Sequence, residues 1–133
     1  MKSLVSQVTT LLRAATTDRV EQYWRLEPPE VLTYYVTDRS ESSQRGHGIG
    51  NSWQETLSID VVVEVPWDDT VATAEALNDA VEVVKAAVHA NRDLSTTGIT
   101  GRVEGTQYQF VLRAGVAQPC KAARIGVSYE TNV

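Results

Sequence analysis

Cysteine occurs once, at Cys120, so the chain can close no internal disulfide and build no multi-thiolate metal site. Histidine occurs twice, at His47 and His89, and neither has carboxylate partners at a metal-ligand spacing. There is no Gly-Lys-Ser/Thr tripeptide for a phosphate loop and no glycine-flanked serine of the nucleophile-elbow kind. No apolar run approaches the ~20 residues needed to cross a bilayer. The first residues, Met1-Lys2-Ser3-Leu4, enter directly into an amphipathic pattern without a continuous apolar segment, so a secreted protein is not expected. Internal repeats and low-complexity tracts are absent. Positive charge is in short supply too: a net charge of −5 argues against a general binder of phosphate backbones and favours a soluble, self-repelling surface.

What the chain does have is a pronounced change of period between Trp53 and Asn91. From Trp53 to Val65, residues 53, 57, 59, 61, 63 and 65 are apolar and 54, 56, 58, 60 and 64 are polar, which predicts a strand with one face on a core. Pro66 ends it. Asp68, Asp69 and Thr70 offer N-cap oxygens, and Val71, Ala74, Leu77, Val81, Val84 and Val88 then follow helical spacing, ending at Asn91. Upstream, Ser3 can cap a helix to about Ala15 whose stripe is Leu4, Val5, Val8, Leu11, Leu12 and Ala15. Val20 to Leu26 fits neither period and reads as irregular or a short strand. After Pro28-Pro29, Val31 to Thr37 is β-branched and aromatic, a strand. Arg39 to Ser52 is polar and glycine-bearing, and with its flanking strands it reads as a protruding hairpin loop at about 38–52. Ile99 to Glu104 and Thr106 to Arg113 read as two short strands separated by Gly105, and Lys121 to Tyr129 alternates once more. The expectation is one α+β domain over 1–133: a small, mostly antiparallel sheet with two main helices packed on one face.

Each reactive-looking group has a plainer explanation in this scheme. Gly46-His47-Gly48-Ile49-Gly50 precedes a strand rather than opening a helix, so a loop tip suits it better than a dinucleotide loop. Asp60 and Glu64 fall on the solvated strand face, Asp68 and Asp69 cap a helix, and His89 complements a helix C-terminus. No acid pair is left over for hydrolysis, so no enzyme, cofactor or metal is expected. Arg39, Arg45, Arg92, Arg102, Arg113, Lys121 and Arg124 are scattered rather than clustered with aromatics. Arg39 and Arg45 share one loop and suit salt bridges to a partner. Trp24 and Trp53 read as core residues, and Trp67, beside Pro66 at a strand end, as a candidate for an interface.

The order of parts resembles a known family. An N-terminal amphipathic helix leads to a Pro-flanked aromatic strand (Pro29 to Val36), a polar glycine-containing loop, the strand Gln54-Glu55-Thr56-Leu57-Ser58-Ile59-Asp60-Val61-Val62-Val63, a capped Ala/Val helix, and a closing strand Ala123-Arg124-Ile125-Gly126-Val127-Ser128-Tyr129. This is similar to the tail terminator or tail completion proteins of long-tailed bacteriophages. The resemblance implies a structural virion protein, assembled in the host cytoplasm, at the neck end of the tail. It implies a homo-oligomeric ring, a hexamer, that caps the tail tube, ends its polymerisation and offers a surface to the head connector. DNA would pass through without sequence-specific binding, and no membrane would be involved. The interface residues expected on this reading are Arg39, Arg45, His47, Ile49 and Trp67, with the 38–52 hairpin reaching a neighbour or the tube.

Two alternatives compete. A head–tail connector or head-closure ring protein belongs to the same class. A small α+β RNA- or ligand-binding module belongs to another, and would stack bases on exposed aromatics of Val31 to Thr37 or Thr106 to Arg113.

Overall fold

The computed structural model describes residues 2–45, 53–92 and 99–132. Helix α1 (Lys2–Ala15) is followed by strands β1 (Arg19–Gln22), β2 (Thr33–Arg45) and β3 (Trp53–Pro66), helix α2 (Val71–Ala90), and strands β4 (Ile99–Val111) and β5 (Cys120–Asn132). The five strands form one sheet in the order β1-β2-β3-β5-β4. The β2–β3, β3–β5 and β5–β4 ladders are antiparallel, and only the short β1 joins in parallel. The expected α+β class with a mostly antiparallel sheet is what the chain forms.

Alternation sends successive side chains of each strand to opposite faces. Tyr34, Val36, Ile59, Val61, Val63, Ala123, Ile125, Val127 and Tyr129 face the helices, where they meet Leu4, Val5, Val8 and Leu12 of α1 and Leu77, Val81, Val84 and Val88 of α2. The helix entry is capped as its sequence dictates. Thr70 is the N-cap and its hydroxyl accepts from the Thr73 amide, while the Asp68 carboxylate accepts from both threonine hydroxyls. Those hydroxyls, Thr73 first, hold the Asp68 carboxyl below the usual carboxylate range. Val71, assigned to the buried stripe by spacing, is instead exposed. Ser3 lies inside α1 rather than capping it, and its hydroxyl accepts from Gln7.

Three elements depart most from the sequence reading. Residues 39–45, expected as loop, continue β2 in register as far as Arg45 opposite Trp53, with one irregularity between Asp38 and Ser40. The rest of the expected hairpin loop, 46–52, lies outside the described residues. Ile99 to Val111 is a single strand, and the break expected at Gly105 is a register shift between Val103 and Gly105, a bulge rather than an end. Val20 to Leu26 divides into β1 and a turn at Tyr23, whose positive φ of 64° swings the chain across the sheet.

Candidate functional site

The face of the sheet turned away from the helices was expected to be solvated, with Asp60 and Glu64 in water. Both are buried. The reason is that this face has its own covering, made of side chains that arrive from distant parts of the chain.

At one end of this face Tyr35, Val62 and Ala122 form a second small core with Val111 packed against it. Glu64 stands beside them, fully buried, and pairs with Arg113 at 2.7 Å. The Trp24 indole N–H donates to Glu64 at 3.0 Å, the Arg113 guanidinium lies 4.5 Å from the centre of the Trp24 ring, and Arg113 donates to the Arg25 carbonyl. The turn at Tyr23 makes this possible, because it aims Trp24 across β2 at β3. Cys120 is buried here as well. Burial, and then the nearby Glu64 carboxylate, push its thiol above its ordinary range, so it stays protonated and is a poor nucleophile.

Further along the same face a chain of alternating charge crosses four strands. Arg39 of β2 donates to Glu104 of β4 at 2.5 Å and lies 3.8 Å from Asp60 of β3, which in turn lies 3.8 Å from Arg124 of β5. The hydrogen bond from Arg39, ahead of any other influence, holds the Glu104 carboxyl low, and its reciprocal raises the Arg39 guanidinium. A cleft of about 370 Å³ opens over this chain. Asp60 and Arg124 also line a second hollow of about 300 Å³, together with Trp24, Val62, Val111 and Ala122.

The third feature is the outer edge of the sheet. Tyr108, Phe110 and Leu112 are 48%, 59% and 79% exposed along β4 and just beyond it. Trp67 meets the Phe110 ring edge-on at 5.7 Å, and the Lys121 ammonium sits 4.7 Å from the Trp67 ring centre.

Of the expected interface residues, Arg39 and Trp67 stand apart. Arg39 belongs to the charge chain of the open face, and Trp67 is half-buried against Phe110. Arg45 is the last residue of β2, and His47 and Ile49 lie outside the described residues. Sequence reasoning missed Glu64, Asp60 and Arg113, whose partners are 40 or more residues away or on other strands. Among the described residues no group of His, Cys, Asp and Glu is arranged to hold a metal ion. Nor is any helix among them long and apolar enough to cross a membrane.

No known family model matches the sequence, and no curated protein matches it. Among the solved structures, one that carries no functional description is similar over 96% of this chain and 89% of its own, with 16% identity and a TM-score of 0.45.

Proposed function

We propose that this chain is a ring-forming assembly protein that caps a phage tail tube, ends its polymerisation and joins it to the head connector. The observation that carries the reading is the contrast between the two edges of the sheet. β1 is four residues long and blunted by the Arg19–Glu21 pair, as protected edges are. β4 runs for thirteen residues, carries Arg102 and Glu104 as its only charges, and exposes Tyr108 and Phe110, with Leu112 just past its end. A long edge of low charge with exposed large apolar side chains is the kind that binds another chain. Because the two edges differ, a contact made by β4 with some other part of a neighbour is heterologous, and heterologous contacts form rings when the rotation between neighbours closes. The net negative charge suits a conduit that DNA traverses without sticking. On this reading the protein works at the neck end of the tail after assembling in the host cytoplasm.

Light scattering coupled to size exclusion tests the reading. A hexamer, formed alone or on addition of tail tubes, is expected, and Phe110→Asp with Leu112→Asp should return it to a folded monomer. Binding to tail tubes rather than to packaged heads separates a terminator from a connector. A protein that stays monomeric with tubes present, and binds RNA through Tyr108 and Phe110 in a salt-dependent way, would replace the ring with the RNA-binding module.

A further inference from the structure

The cleft over Asp60 is a consequence of two glycines. Asp60 lies opposite Gly126 on β5, and Gly126 lies opposite Gly105 on β4, so the open face lacks side chains at two neighbouring strand positions. The first of these spaces is used: a Cβ on Gly126 would come within 3.2 Å of the Arg39 guanidinium, which reaches over it to Glu104. The second is not, since a Cβ on Gly105 would meet nothing within 4 Å. Packing of this chain explains Gly126 and leaves Gly105 facing open space.

Asp60 lines this space with its side chain nine-tenths buried. Its Oδ1 accepts no hydrogen bond from any described residue, and the guanidinium nitrogens of Arg39 and Arg124 stand at 3.8 Å, beyond hydrogen-bonding distance. A buried acceptor in this condition takes a donor when one is offered. The kind of donor follows from its surroundings. The two arginines and the two acids cancel, so the cleft has no net charge to attract a free ion. A carboxylate would face Asp60, and an ammonium would face two guanidiniums. A primary amide meets both demands, its N–H donating to Asp60 and its oxygen accepting from Arg124, whose guanidinium is half-exposed and stands 3.8 Å from Asp60.

We propose that this face binds an extended polypeptide segment of a partner protein. The segment presents an asparagine or glutamine to Asp60 and an apolar side chain, two residues along, to the hollow over Val62. The spacing is that of one strand lying on another: residues two apart share a face, as Asp60 and Val62 do. The hollow over Val62 is apolar, with Ala122, Val111 and Trp24 around it. This binding is independent of ring formation, because none of its residues lies on the exposed row of β4.

The test is an NMR titration of the ¹⁵N-labelled full chain with three capped peptides, Ac-Gly-Asn-Gly-Leu-Gly-NHCH3 and its counterparts with Asp or Lys in place of Asn, the methylamide cap leaving asparagine as the one primary amide. The Asn peptide is expected to shift the backbone amides of Asp60, Gly105 and Gly126, and to bind at least about tenfold more tightly than the charged peptides. Gly105→Val should fill the cleft and abolish the shifts while the fold persists. Arg124→Ala, at an exposed position, should weaken binding about tenfold by removing the donor to the amide oxygen. Absence of shifts with the Asn peptide would overturn the proposal. So would equal or tighter binding of the Asp or Lys peptide, or undiminished binding by the two variants.

Discussion

Replacing Arg113 by leucine isolates the contribution of the covering on the open face. In the native chain the Glu64 side chain is fully buried and the Arg113 side chain is 6% exposed, so neither charge has much water to fall back on. The variant leaves a carboxylate in that position with the Trp24 indole N–H and the weakly donating Cys120 thiol beside it. Removing one member of a buried pair costs about 3–5 kcal/mol, far more than the pair contributes relative to an apolar replacement of both. The lost stacking of Arg113 on Trp24 adds about 2 kcal/mol. At ~2.1 cal/mol/K per residue, the unfolding entropy of 133 residues is about 0.28 kcal/mol/K, so the pair term alone lowers Tm by about 10–18 °C. Urea or thermal unfolding followed by circular dichroism measures this. The double variant Glu64→Met/Arg113→Leu should recover to within about 2 kcal/mol of the native chain, since it leaves no orphaned charge and lacks the stacking on Trp24. A single variant losing less than ~1 kcal/mol, or a double variant as unstable as the single, would refute the claim that the ion pair is desolvated.

Two further outcomes are expected. Burial pushes the Tyr129 hydroxyl up to about 12. The native state therefore keeps its proton where the unfolded chain, titrating near 10, gives it up. The stability gained from keeping Tyr129 neutral is intact below pH 10 and is lost between pH 10 and 12, amounting to about 2–3 kcal/mol, and Tyr129→Phe should flatten this alkaline slope in unfolding curves. Gly101→Ala drives a Cβ into the Tyr129 ring, against Cδ1 at 2.8 Å. It should destabilise by about 1–3 kcal/mol in urea unfolding, and Tyr129→Leu in the same chain should relieve part of that cost.

How far the fold could be read from the residues depended on how local its causes are. The strand from Trp53 and the helix from Val71 were legible because alternation, Pro66 and the Asp68–Thr70 cap all act within a few positions. Residues 39–45 were not. Ser40, Glu41, Ser42, Ser43 and Gln44 have little strand preference, and pairing with Gln54 to Ser58 imposes the conformation. Gly105 was legible as a break but not as a bulge, because only the partner strand distinguishes the two. For the candidate site the same limit is sharper. Polar alternation at Asp60 and Glu64 is the mark of a wet face, and nothing near them in sequence announces Trp24, Arg39, Arg113 or Arg124. The positive φ at Tyr23, which carries Trp24 over the sheet, has no sequence mark at all.

The lengths of β3 and α2 do not match. Fourteen strand residues extend about 46 Å, whereas twenty helical residues extend about 30 Å. Helical cover accordingly fades along the strand direction: Ile59 to Val65 are buried, and Glu55 to Leu57 are half-buried. Resistance to amide hydrogen exchange should fall off along that same direction, with every strand tight at one end and looser at the other. On that expectation the domain has a firm heel at the Val65 end of β3 and a more pliant toe at its Glu55 end.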